Sequence, residues 1–90
     1  MILTSSPKRL GTLAILVADR ERVDAVNSLI SQHQQFVLSR IGFPYRERNI
    51  SIIVLLVEAT TDELGSFAGK LGSVPGIKIR SSVFDESTTM

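Results

Sequence analysis

The residues best equipped for chemistry lie in one stretch, Arg40-Ile41-Gly42-Phe43-Pro44-Tyr45-Arg46-Glu47-Arg48. Arg40, Arg46 and Arg48 offer planar guanidinium forks that fit carboxylate or phosphate oxygens, and Tyr45 adds a ring and a hydroxyl. The chemistry is capture of a small anion rather than bond cleavage. The same residues also read as a salt-linked turn, with Glu47 between two arginines. Arg40 is the sharper case, because it interrupts an apolar run and a charge there needs a partner or water. A second group, Asp19-Arg20-Glu21, precedes a helical pattern. Asp19 reads first as a cap for the orphan amides of the helix, and the positive end of that helix also favours an anion. Arg40, Tyr45, Arg46, Asp19 and Arg20 are the candidate ligand-binding residues.

Other chemistry finds little support. His33 is the sole histidine and there is no cysteine. A transition metal wants three or four N, S or O ligands, so no metal site is expected. His33 reads as a residue at a helix C-terminus, where a histidine suits the dipole. Gly65, Gly69 and Gly72 do not form a phosphate-binding loop, because no GK[ST] follows them. The spacing of Gly65 and Gly69 is expected to allow close helix packing. No nucleophile–base pair is visible. The expectation is a protein without catalysis and without a cofactor.

The elements that must position these residues follow from the pattern. Arg9 to Ala18 (RLGTLAILVA) reads as a first strand and Arg20 to Gln34 as a first helix, with Val23, Val26 and Ile30 on one stripe. Phe36 to Phe43 reads as a second strand, which Gly42 and then Pro44 stop or bend. Ile50 to Ala59 (ISIIVLLVEA) is the strongest strand signal. Thr60 with Glu63 is a capping box, opening a second helix whose Leu64, Phe67, Ala68 and Leu71 share a face. Gly72 is expected to be the left-handed residue just beyond that helix. A Ser73–Gly76 turn leads to a fourth strand over Ile77–Phe84. The order β-α-β-β-α-β predicts an α+β, ferredoxin-like fold: a four-stranded antiparallel sheet with two helices on one face. A single domain over residues 8–84 is expected, with residues 1–7 and 85–90 as flexible ends.

Two helices can cover only one face of such a sheet, so the other should alternate to polar. It does not. Leu10, Ala14 and Leu16 of the first strand alternate with Leu13, Ile15 and Val17, and the third strand is apolar on both sides. A face of that kind left in water invites association. A second copy of the chain, in a homodimer or homotetramer, is the expected cover; the alternative is that the terminal segments fold over this face.

Composition sets the frame. The chain has 90 residues, 43% hydrophobic and 21% charged, with ten basic and nine acidic side chains. One small domain is all that this length holds, and disulfides cannot reinforce it. A net charge of +1 gives no reason to expect nucleic acid or a membrane surface as partner. The longest apolar run, Ile52 to Val57, is far short of the ~20 residues that span a bilayer. A cytoplasmic location is expected.

Arg40-Ile41-Gly42-Phe43-Pro44-Tyr45-Arg46-Glu47-Arg48-Asn49-Ile50-Ser51-Ile52-Ile53 resembles the R-x-G-hydrophobic-P-Y-R-E-[KR]-x-[VI]-S-[VI]-I segment of the iron-only hydrogenase system regulators, small ACT-like proteins. LAILVADRERVDAVNSLI and GKLGSVPGIKIRS are similar to that family's first strand–helix pair and last strand. The resemblance runs from about Leu10 to Val83. It implies an ACT-like ferredoxin fold and a regulatory or ligand-sensing role in dimers or larger assemblies, without catalysis. The fold also resembles the nickel-sensing domain of nickel-responsive repressors, but the Cys and His ligands of that domain are missing here. ACT domains that bind amino acids typically place a glycine between first strand and first helix; the turn here, Val17-Ala18-Asp19-Arg20-Glu21, has none. The expected function is an oligomeric regulatory module that senses a small anionic effector at subunit boundaries. The alternative is a structural module that contacts a partner protein and takes no ligand.

Overall fold

The computed structural model describes residues 7–84. Strand β1 (Arg9–Val17) leads through a 3-10 turn at Arg20–Arg22 into helix α1 (Val23–Gln32). A second 3-10 turn, Gln34–Phe36, enters β2 (Val37–Tyr45), and a third, Arg46–Arg48, leads to β3 (Ile50–Ala59). Helix α2 (Thr61–Gly72) and β4 (Ile77–Val83) complete the fold. The sheet order is β2-β3-β1-β4, with every neighbouring pair antiparallel. This is the expected α+β ferredoxin-like arrangement. The flexible ends expected at 1–7 and 85–90 lie, apart from Pro7, outside the described residues.

The core forms where alternating strand residues meet the apolar stripes of the helices. Leu13, Ile15 and Val17 of β1 and Ile53, Leu55 and Val57 of β3 share one face and are buried against Val26 and Ile30 of α1 and Leu64, Phe67 and Leu71 of α2. Each such side chain contributes roughly 1.5–3 kcal/mol by leaving water. Helix α2 starts on the expected capping box: the Thr60 amide donates to Glu63 Oε1 at 2.9 Å, and the Glu63 amide donates to Thr60 Oγ1 at 3.1 Å.

Several local expectations need correction. The first helix is not continuous over 20–34; a 3-10 turn precedes it and another follows it. Phe36 belongs to the second of these turns and is buried there. Pro44 does not stop β2, which runs on to Tyr45. An edge strand tolerates proline because its outward amide position needs no partner. Gly72 is the last helical residue rather than the residue beyond it. The following residue, Ser73, stays right-handed, and its amide and hydroxyl bond back into the last turn. Gly76 takes the left-handed backbone instead, with φ +78° at the entry to β4. Gly65 and Gly69 are not packing glycines, since a Cβ at either would meet nothing within 4 Å.

The outer face of the sheet is apolar, as the sequence implied. It carries Leu10, Ala14 and Leu16 of β1 beside Ile52, Val54 and Leu56 of β3, and Ile41 and Phe43 of β2. Ile41, Phe43 and Phe84 are 68%, 56% and 61% exposed.

Candidate functional site

Arg40 reaches the helix side of the sheet because β2 is bulged between Val37 and Ser39. Val37 faces the helices opposite Val57. Beyond the bulge the alternation inverts, so Arg40 faces the helices while Ile41, Phe43 and Tyr45 turn outward. The Arg40 Nη2 donates to Asn27 Oδ1 of α1 at 2.9 Å. The charge in an apolar strand thus has both a partner and water, since Arg40 is exposed.

Two hollows flank this contact. One of about 330 Å³ extends along Ile30, Ser31, Gln34 and Leu38. The other, about 230 Å³, lies over Gly42, Pro44, Ser51 and Ile53. Arg40 and Asn27 line both. A third hollow of about 460 Å³ shares Val23, Pro44 and Ser51 with the second and adds Arg20, Glu21, Asp24 and Asn49. The result is a shallow groove between α1 and β2 with Arg20 at one end and Arg40 in its middle. Ser51, the buried polar residue among the described residues, lines it at the junction. Asn27 and Ser51 were not singled out in the sequence. An isolated Asn on a helix and a Ser in a strand carry no signal without the fold that pairs them.

The remaining candidates lie elsewhere. Asp19 accepts from the Glu21 amide at 3.0 Å and pairs with Arg22 at 3.7 Å, so it caps the turn that carries Arg20. Its other side packs near Gly76, where a Cβ would come within 3.3 Å of Asp19 Cβ. Tyr45 sits on the outer sheet face, edge-on to Phe43 with centroids 5.6 Å apart and with the Arg48 guanidinium 5.8 Å above its ring. Arg46 is exposed in the 3-10 turn, where its carbonyl accepts from Asn49, a residue in left-handed conformation at φ 56°. Arg40 and Arg20 share the groove; Tyr45 and Arg46 stand at its β2–β3 end, with Tyr45 turned to the opposite face.

His33 caps the C-terminus of α1. Its Nδ1 lies 2.8 Å from the Leu29 carbonyl and therefore donates, which leaves Nε2 to accept from Lys70 Nζ at 3.5 Å. The ring stacks on Phe67 at 4.7 Å. Among the described residues there is no group of three or more His, Cys, Asp or Glu placed to hold a metal. No helix among them is long and apolar enough to cross a membrane.

The chain is similar over 87% of its length, at 35% identity and a TM-score of 0.82, to the uncharacterized protein TM1266 of Thermotoga maritima, of which 99% is covered. It also superposes on the ACT domain of the GTP pyrophosphokinase of Chlorobium tepidum. There the TM-score is 0.72 and the identity 18%, covering 83% of this chain and 99% of that one. At that identity the likeness shows the fold alone. The chain matches no functionally curated protein. Residues 9–81 match the TM1266-like family, which carries the provisional description iron-only hydrogenase system regulator. An ACT-like ferredoxin fold and a family match across most of its length lead to one conclusion: this chain belongs to the TM1266-like regulator family.

Proposed function

We propose that the chain is a non-catalytic regulatory module of the cytoplasm that works as a homo-oligomer and takes a small anionic effector at the boundary between copies. The observation that carries this reading is the outer sheet face, where Leu10, Ile41, Phe43 and Leu56 stand exposed with no element of the described chain over them. Four strands about 4.8 Å apart and nine or so residues long present roughly 500–600 Å². Two copies face to face would bury about 1,000–1,200 Å², at the lower limit of a stable interface.

The groove between α1 and β2 supports the effector half. Arg20 and Arg40 both line it; it lies on the helix side of the sheet, opposite the apolar outer face, and its β2 rim is a sheet edge, so the copy that meets it belongs to a contact other than the outer-face one. In this reading Arg40 and Arg20 bind the anion, Asp19 holds the turn that presents Arg20, and Tyr45 and Arg46 form the rim shared with the neighbour. An effector regulates only if it binds one assembly state more tightly than another.

Sedimentation equilibrium joined to a thermal-shift screen of carboxylates, phosphates and nucleotides tests both halves. The expected result is an assembly of two or more chains, stabilised by at least one anion, with the stabilisation lost in Arg40→Ala and Arg20→Ala. A monomer at micromolar concentration overturns the reading. A stable assembly that no anion stabilises leaves the alternative, an interaction module without a ligand.

A further inference from the structure

We infer that two copies pack through their outer sheet faces with β2 of one lying over β4 of the other. This rests on the reading above that a second copy covers that face.

The edges of the sheet point away from edge-to-edge pairing. In the β1–β4 ladder the Phe84 amide donates to the Leu10 carbonyl and the Ala18 amide to the Gly76 carbonyl, both at 2.8 Å. Antiparallel ladders alternate, so the pair Ile15–Ile79 is one whose backbone groups turn away from each other. The Ile79 carbonyl therefore faces out from the edge. Arg80 Nη1 donates to it at 2.9 Å and occupies the acceptor that an added strand would need. At the opposite edge, β2 is interrupted by the bulge between Val37 and Ser39 and lacks an amide hydrogen at Pro44. Both edges are blunted, while the face is apolar.

The charges on the face select the orientation. The strand register sets rows across the sheet: Ser39, Leu56, Thr12 and Ser82; then Ile41, Val54, Ala14 and Arg80; then Phe43, Ile52, Leu16 and Lys78. In these rows the cations, Arg80 and Lys78, both lie on β4; Glu58 pairs with Leu10 beyond the first row and Arg48 stands over Tyr45 beyond the last. A two-fold axis across the strands stacks β4 on β4 and gathers two lysines and two arginines in one seam, where like charges oppose association. A two-fold axis along the strands preserves each row and lays β4 over the partner's β2. Lys78 then meets the ring of the partner's Phe43, a favourable cation–π arrangement. The aliphatic side chains of β1 and β3 meet at the centre.

The chain has no cysteine, so introduced thiols are unique. Chains carrying Ser39→Cys and chains carrying Ser82→Cys, one of them with a larger tag, are co-expressed and treated with a bismaleimide matched to the ~10 Å spacing of packed sheets. Both sites are exposed and the replacement is nearly isosteric. The expected product joins a Ser39→Cys chain to a Ser82→Cys chain, and little product joins like to like. A Phe43→Cys and Lys78→Cys pair should behave the same way. Cross-linking of Ser82→Cys chains to one another, or a dimer that yields no mixed product with either pair, overturns this orientation while leaving oligomerisation intact. A monomer in the untreated sample overturns the oligomeric reading itself.

Discussion

Phe43 and Tyr45 meet edge to face, ring centroids 5.6 Å apart, on the side of the sheet that neither helix covers. Beside them Ile41 is 68% exposed. A charge placed there would sit in water in the monomer but in an apolar seam in the assembly. Ile41→Glu should therefore leave the stability of the fold within about 0.5 kcal/mol, yet weaken association at least ~10-fold, the equivalent of 1.4 kcal/mol. Sedimentation velocity across a concentration series reads the second effect. An unchanged assembly would remove the outer face as the contact.

Phe67 is fully buried, stacks on the His33 ring at 4.7 Å and meets the Phe36 ring at a tilt, 6.2 Å away. Phe67→Ala should cost about 3–5 kcal/mol through lost burial and the cavity left behind. That is comparable with the whole stability of a small domain. Urea unfolding followed by circular dichroism should show little folded protein at 25 °C. A loss below about 1 kcal/mol would contradict the packing described.

The reciprocal bonds between Thr60 and Glu63 satisfy two amides at the start of α2. Thr60→Ala should destabilise by about 1 kcal/mol, and Thr60→Ser by much less, since serine keeps the accepting hydroxyl. The difference between the two denaturation midpoints isolates the cap from general surface effects.

Two glycines should respond in opposite directions. A Cβ on Gly11 would lie 2.6 Å from the Ser82 carbonyl oxygen, a backbone atom that can move only if β4 moves. Gly11→Ala should cost about 1–3 kcal/mol. Gly65 faces open space on α2, so Gly65→Ala should gain about 0.5–1 kcal/mol by favouring the helix. Melting temperatures of the two variants should fall on either side of the parent protein.

The Arg40–Asn27 hydrogen bond is exposed, so Arg40→Ala should change stability by less than about 1 kcal/mol. Any anion-induced rise in melting temperature should disappear with it. Arg40→Lys should restore little, because a lysine lacks the planar fork and its reach to Asn27. An anion effect that survives Arg40→Ala would move the site elsewhere.

The sequence alone determined the order of elements and the two-sided greasiness of the central strands. Period-two alternation and period-3.6 stripes are local properties, and Thr60, Asp19 and the 50–59 run carry their meaning in a few neighbouring residues. It also marked Arg40 as a charge needing a partner. What it left open was the face on which Arg40 stands. The bulge between Val37 and Ser39 inverts the alternation of β2, and no residue there announces it, because a bulge is set by how a strand docks on its neighbour. That single step turns Arg40 toward Asn27 and sends Ile41, Phe43 and Tyr45 outward. The groove shared by Arg20, Ser51 and Arg40 is likewise a product of packing. These residues are far apart along the chain, and only the docking of α1 against the β2 edge brings them to one surface.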